Sequence, residues 1–255
     1  MAYKDIKYAV RNSVATITID RPKVHNAFRG QTCEEMVDAF NKAAWNDDIG
    51  VIVLTGAGTK AFSSGGDQGA HDGVYDGRGT IGLPIEELHS IMRDAPKPVI
   101  AKVRGWCIGG GNVLATICDL TIAGESAVFG QAGPRMGSVD PGFGTNLLAR
   151  HVGQKKAKEI WFLCRQYSAQ ESMEMGLVNA VVPDAQLDAE VRRWCDEILQ
   201  MSPTAIALGK RAFNAETESI RGLSNLGNIA VRLYYDSPEG REGERAFRAK
   251  RKPQF

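Results

Sequence analysis

Ala61-Phe62-Ser63-Ser64-Gly65-Gly66-Asp67-Gln68 and Gly105-Trp106-Cys107-Ile108-Gly109-Gly110-Gly111-Asn112 follow two apolar, β-branched runs, Val51-Ile52-Val53-Leu54-Thr55 and Val99-Ile100-Ala101-Lys102-Val103. Short runs of this kind closed by glycine read as buried strands feeding tight turns. Glycine lets a turn come close to a ligand and present its N–H groups with no side chain in the way. Two such turns converging on one point make a two-donor oxyanion hole. The second opens a helix expected from Asn112 to Ile117, whose N-terminus adds partial positive charge where an oxyanion would sit. The same glycines also suit plain close packing, and the spacing alone leaves both readings open.

Working outward, 255 residues fit one large domain or a main domain with an appendage. A formal net charge of +1 argues against a broad nucleic-acid or membrane footprint. No apolar run approaches the roughly 20 residues that a membrane helix needs. The opening Met-Ala-Tyr-Lys-Asp-Ile-Lys lacks an apolar signal core, so a cytoplasmic protein is expected. Five scattered cysteines (Cys33, Cys107, Cys118, Cys164, Cys195) without a C-x-x-C pair form neither a disulfide framework nor a zinc site, and read as small buried hydrophobes.

Upstream of the glycine turns, Ile6 to Val10 and Val14 to Ile19, split by Arg11-Asn12-Ser13, give a hairpin signal. Arg21 to Ala27 reads as a loop, and Met36, Phe40 and Ala44 fall at i, i+4 and i+8 of a helix of about four turns. Residues 69–83 have five glycines among His71, Asp72, Tyr75, Asp76 and Arg78 with no hydrophobic period, which suits a lid over a pocket as well as a solvated loop. Pro84 to Asp94 is expected to be helical. Downstream, strands and helices alternate to about residue 183. Leu187, Val191, Trp194, Cys195, Ile198 and Leu199 form one apolar stripe of an amphipathic helix. From Ser202 onward only helices are expected, ending in the basic stretch Arg245 to Lys252.

Ser-Gly-Gly-Asp, the later Ile-Gly-Gly-Gly, Cys118-Asp119-Leu120-Thr121-Ile122-Ala123 and Phe129-Gly130-Gln131 together resemble the crotonase (enoyl-CoA hydratase) superfamily over nearly the whole chain. The resemblance implies an α/β fold, the crotonase (ClpP-like) spiral of β-β-α turns. It places the CoA and oxyanion sites in a core over residues 1–200, with a C-terminal helical oligomerisation region over 201–255. It further implies homotrimers, commonly homohexamers as dimers of trimers, and a thioester enolate held by the N–H groups of Gly66 and Gly110. For CoA it indicates Lys23, Val24 and His25 with Ala61, Ser63, Gly65, Asp67 and Gln68, and Lys250 in the basic stretch could meet phosphates. CoA then enters as part of the substrate, with no covalently bound cofactor and no metal. His71 and His89 are the pocket candidates among the four histidines.

Superfamily hydratases carry two glutamates that handle water, and the matching positions here are Val113 and Gly133, neither of which exchanges a proton. A simple alkene hydratase is therefore disfavoured. Met136-Gly137-Ser138-Val139-Asp140-Pro141-Gly142-Phe143-Gly144 stands nearby. Asp140 is placed to cap the following helix, a role worth about 1 kcal/mol. Phe-Gly-Gln-x-Gly-Pro followed by Gly-Ser-x-Asp resembles the 1,4-dihydroxy-2-naphthoyl-CoA synthases. There the aspartate matching Asp140 and the tyrosine matching Tyr235 are catalytic, and some members bind bicarbonate through the residues matching Gln131 and Gly133 and through a tryptophan, for which this chain has Phe143. The stretches His71 to Thr80, Glu86-Glu87-Leu88-His89, Asn112 to Thr116 and Ser138 to Gly142 resemble more closely the 2-ketocyclohexanecarboxyl-CoA hydrolases, which open a cyclic β-keto thioester to pimeloyl-CoA. That resemblance implies Asp140 as base toward water and Tyr235 as donor, with Tyr75 near the substrate. A non-catalytic CoA- or RNA-binding member is disfavoured by the intact glycine pair, by Asp140 and by the near-neutral charge.

Overall fold

In the computed structural model the described residues are 3–69, 75 and 77–255. Strands β1 (Ile6–Arg11) and β2 (Val14–Ile19) pair antiparallel about Asn12-Ser13, both at positive φ, the conformation that a two-residue hairpin turn demands. Helix α1 (Gly30–Ala44) buries Cys33, Met36, Val37 and Phe40 along one face. Next come β3 (Val51–Gly56), β4 (Ala61–Ser63), α2 (Ile85–Asp94), β5 (Val99–Val103), β6 (Trp106–Ile108), α3 (Gly110–Ile117), β7 (Leu120–Gly124) and β8 (Val128–Gly130). Then follow α4 (Gly133–Met136), a π-helical turn (Phe143–Leu147), α5 (Leu148–Val152), α6 (Gln154–Leu163), β9 (Gln166–Ser168), α7 (Ala169–Glu174) and β10 (Ala180–Val182). The chain ends in α8 (Leu187–Leu199), α9 (Pro203–Glu216), α10 (Glu218–Tyr235) and α11 (Pro238–Arg248).

The strands lie in two sheets, a six-stranded one in the order β1-β2-β3-β5-β7-β10 and a four-stranded one in the order β4-β6-β8-β9. This is a mixed α/β fold built as a spiral. Three times in succession a strand joins the larger sheet and the next joins the smaller: β3 then β4, β5 then β6, β7 then β8. The parallel pairings among these strands require crossovers, which α2 and α3 help to supply. Here the expected local layout is corrected. The runs at Val51 and Val99 do not feed the glycine turns directly. Each enters the larger sheet, and Ala61–Ser63 and Trp106–Ile108 then form short strands of their own that deliver the turns side by side.

Side chains of β3 alternate between two cores. Ile52 and Leu54 face the main core with Met36 and Phe40, while Val51 and Val53 face the stripe of α8, where Leu187, Val191 and Cys195 are buried. The helical region is anchored by Lys210 of α9, 8% exposed, whose ammonium donates to the carbonyls of Met92 and Lys97 and pairs with Asp119 Oδ2 at 2.7 Å. That oxygen also accepts from the Val99 N–H at the start of β5. Lys210→Met takes this donor from the Met92 and Lys97 carbonyls and the cation from Asp119, and is expected to lower stability by about 2 kcal/mol. The exposed Lys155→Met should change it by less than about 0.5 kcal/mol. Denaturant midpoints of the two variants check the difference.

Candidate functional site

A cleft of about 690 Å³ opens between the glycine turns, α2, the segment from Gln131 to Asp140 and the C-terminal helices. That volume is in the range of small-molecule sites. Its floor is backbone. Gly65 holds φ at +91°, and a Cβ there would fall 2.7 Å from the Gly110 nitrogen, so the two turns touch main chain to main chain. Phe28 fixes the first turn from outside, donating its N–H to the Gly65 carbonyl and accepting from the Asp67 N–H. Gly66 is thereby left with its own N–H unused, and Gly110 is the first residue of α3. Among the described residues neither amide donates to a protein group, and both glycines line the cleft.

Two residues that the sequence reading passed over hold this floor. Asn26 is fully buried, donates to the carbonyls of Ala57 and Ala61 and accepts from the Arg21 N–H. Arg21 in turn pairs with Asp67 at 2.8 Å and donates to the Ala27 carbonyl. The sequence signal was there: asparagine tolerates the left-handed conformation that position 26 adopts. Ser63 is buried and joins the same frame, donating to the Asn26 carbonyl and accepting from the Gly65 N–H.

The opposite wall carries the titratable groups. Val113 and Gly133 both line the cleft. Asp140 Oδ1 accepts the N–H groups of Gly142 at 3.1 Å and Gly144 at 2.7 Å, so the aspartate does cap the π-helical turn that follows. Oδ2 has no protein partner among the described residues. A Cβ on Gly144 would stand 2.8 Å from both Asp140 Cβ and Val113 Cγ2, which puts the aspartate directly beside Val113. Tyr235 lines the cleft with its hydroxyl 2.9 Å from Ser138 Oγ, and burial raises its phenol above the usual value. Tyr234 faces a separate surface depression with Val139, Phe162 and Leu163. Tyr75 is buried with its hydroxyl against Gly66, where an added Cβ would lie 2.0 Å from the oxygen, and burial pushes its phenol well up. Both phenols are therefore protonated near neutral pH. His89 of α2 is 2% exposed and lines the cleft, and burial lowers its pKa against the opposing pull of Asp140, which keeps the imidazole neutral.

Two expectations about aromatic residues are corrected. Phe143 does not line the cleft. It is fully buried behind His89, with ring centroids 5.4 Å apart edge to face and the Arg93 guanidinium over its other side. The tryptophan beside Gly133 comes instead from α6: a Cβ on Gly133 would meet Trp161 Cζ3 at 2.8 Å, and Trp161 lines the cleft while its indole N–H donates to the Gly144 carbonyl. Gln131 lines the same cleft, buried, its Nε2 without a partner among the described residues.

At the mouth, Val24, His25 and Gln68 line the cleft, and Phe247 of α11 folds over from the same chain while Arg248 donates to the Gln68 carbonyl. Ala61, Ser63 and Gly65 lie behind the wall as framework. Asp67 lines the cleft, but its carboxylate is taken by Arg21 and by the Gly69 N–H. Lys23 is exposed and outside the lining, as is Lys250 beyond the end of α11. His71, with much of the first half of the 69–83 loop, lies outside the described residues.

Comparison with known proteins agrees with this geometry. The enoyl-CoA hydratase/isomerase family model matches residues 9–255. An enoyl-CoA hydratase from Mycobacterium avium subsp. paratuberculosis K-10 superposes with a TM-score of 0.89 at 29% identity, covering 100% of this chain and 99% of its own. An enoyl-CoA hydratase/carnitine racemase from Magnetospirillum magneticum is 32% identical, with a TM-score of 0.79 and coverage of 100% and 96%. A carnitinyl-CoA hydratase from Mycobacterium avium is 28% identical, with a TM-score of 0.85 and 98% of each chain covered. With its spiral of paired strands, two glycine amides unpaired among the described residues and a family match over residues 9–255, the chain belongs to the enoyl-CoA hydratase/isomerase family of the crotonase superfamily.

Proposed function

We propose that this protein acts on an acyl-CoA thioester and hydrolytically opens the ring of 2-ketocyclohexanecarboxyl-CoA to give pimeloyl-CoA. The observation that carries the reading is the position of Asp140. Its carboxylate stands beside Val113, at the wall where the hydratases' glutamates would act, with one oxygen fixed by two backbone N–H groups and the other unpaired. Val113 and Gly133 supply no proton, so the chemistry at this wall runs through Asp140 and its neighbour Tyr235.

In the reaction, Asp140 Oδ2 takes a proton from water as the water oxygen bonds to the ring ketone carbon and the carbonyl electron pair moves onto its oxygen. The tetrahedral intermediate collapses by breaking the bond between that carbon and the α-carbon. The electron pair passes into the thioester, whose enolate oxygen accepts the N–H groups of Gly66 and Gly110. Donors of this kind are worth about 3–4 kcal/mol each in other acyl-transfer enzymes. The Tyr235 phenol protonates the α-carbon, and the proton on Asp140 returns to the phenolate. Val24, His25 and Gln68 at the mouth, with Phe247 above them, take the CoA arm, and Lys23 and Lys250 lie outside the cleft where its phosphates would emerge.

One observation favours a second reading, the ring-closing 1,4-dihydroxy-2-naphthoyl-CoA synthase. Gln131 Nε2 is a buried donor without a partner, next to Gly133 and the face of Trp161, a setting that suits a small anion. Bicarbonate would be held there by Gln131 and Gly133 and would supply a base. Trp161 contributes a wall only, since its N–H is committed to Gly144.

Leu208, Phe213, Leu226, Ile229 and Leu233 are exposed on α9 and α10 and support a homotrimer or homohexamer. All five cysteines are free and buried, in keeping with a cytoplasmic enzyme. Among the described residues no helix is long and apolar enough to cross a membrane.

Incubation of the purified protein with 2-ketocyclohexanecarboxyl-CoA is expected to give pimeloyl-CoA by mass, and o-succinylbenzoyl-CoA to remain unchanged. Naphthoyl-CoA formation would favour the second reading, and silence on both substrates would contradict both. Asp140→Asn is expected to lower kcat by about 10²- to 10⁴-fold with CoA binding retained. Gly144→Ala pushes on Asp140 Cβ and should lower kcat in the same direction while leaving the mouth of the cleft intact, which the Kd for free CoA would show.

A further inference from the structure

We propose that His89 is the residue that recognises an oxygen on the acyl part of the substrate, donating a ring N–H to a carbonyl beyond the thioester. The inference rests on the reading of the cleft as an acyl-CoA site and deepens it by naming what selects the acyl group.

The charged and hydroxylated groups on this wall are nearly all spoken for. Asp140 Oδ1 is fixed by Gly142 and Gly144, the Tyr235 hydroxyl is shared with Ser138, and the Trp161 N–H goes to Gly144. His89 stands with Asp140 Oδ2 and Gln131 Nε2 among the groups left open. The histidine is 2% exposed yet lines the cleft, and neither ring nitrogen makes a hydrogen bond among the described residues; Nδ1 is enclosed, so Nε2 is the nitrogen open to a ligand. Buried polar atoms are nearly always paired, and an orphan in a native fold calls for a reason. A histidine retained only for core packing would turn a nitrogen toward a carbonyl, as His151 does toward Thr116 at 3.3 Å.

Phe143 packs edge to face against the His89 ring, with the Arg93 guanidinium over Phe143, so the imidazole is held in place with no hydrogen-bond partner among the described residues. Burial keeps it neutral, and a neutral imidazole has one N–H to give and one lone pair to accept. Asp140, His89 and Tyr235 line one and the same cleft, and the acyl group is placed at a point between them. A ketone at that point accepts the His89 N–H. When water adds, the oxygen that gains the electron pair stays within reach of the same donor, a second oxyanion site apart from that of Gly66 and Gly110. A saturated or alkyl acyl group leaves His89 unpaired, and sites built to bond a polar group reject ligands that lack it.

The test compares binding of 2-ketocyclohexanecarboxyl-CoA and cyclohexanecarboxyl-CoA by calorimetry, with the full chain carrying Asp140→Asn so that neither ligand is consumed. The oxo ligand is expected to bind at least tenfold tighter than the ring without oxygen. Adding His89→Leu should bring that ratio near one with the affinity for free CoA unchanged, and His89→Gln should keep most of it. His89→Leu should melt no lower than its parent, because it removes an unpaired buried polar group. An oxo preference that survives His89→Leu overturns the proposal, as does an unchanged ratio in two variants that both melt lower, the mark of a structural histidine. If the preference depends on His89 but the wild-type protein leaves the ring closed, the ring-opening reading fails and His89 stands. If the ring opens and the preference ignores His89, the reverse holds.

Discussion

Everything in the site depends on two peptide N–H groups, those of Gly66 and Gly110, that donate to no protein group among the described residues. Both glycines are half-buried and line the cleft, so the chain leaves two amides open to a ligand at one point. It does so by contact between the backbones of Gly65 and Gly110, possible only because neither residue has a side chain to interpose. The short strands β4 and β6 bring the turns together, Phe28 takes the hydrogen bonds on either side of Gly66, and Asn26 and Arg21 tie the flanking loop to the frame. The larger sheet and its two cores provide the rigidity against which this arrangement is held.

The oxyanion floor is common ground for thioester chemistry and does not choose a reaction. In the proposed reading the choice lies on the facing wall, which Val113, Gly133 and Asp140 line. One carboxylate serves two ends there. The oxygen that caps the π-helical turn fixes the direction of the other, so the local cap and the base role proposed for Asp140 fall to the same residue. The close approach of Asp140 and Val113 to Gly144 explains why that turn must be so tight.

Much of this was legible in the sequence. The hairpin followed from alternation in Val14 to Ile19 and the α8 stripe from helical spacing, while the glycine pair was legible although the strands that deliver it were not. Tyr235 rather than Tyr234 does face the cleft. What escaped reading was set by distance along the chain or by brevity. Strands of three residues carry no period to detect, so the threefold repeat of the spiral was hidden although the glycine turns are its products. Trp161 reaches Gly133 from a helix well downstream, and Phe143, nearer in sequence, is turned away into the core. Asp67 and Ser63 look like ligand contacts in a string of glycines, yet one is engaged by Arg21 and the other by Asn26.

The central claim is that water is added to a carbon of the acyl ring and that the thioester leaves as an enolate. Turnover of 2-ketocyclohexanecarboxyl-CoA in ¹⁸O-labelled D₂O, read by mass spectrometry, tests it directly. The account predicts pimeloyl-CoA with ¹⁸O in its free carboxyl group and one solvent deuterium at the carbon next to the thioester. Label in a released ring acid, the product of thioester hydrolysis, or a ring that exchanges deuterium and stays closed, would contradict it.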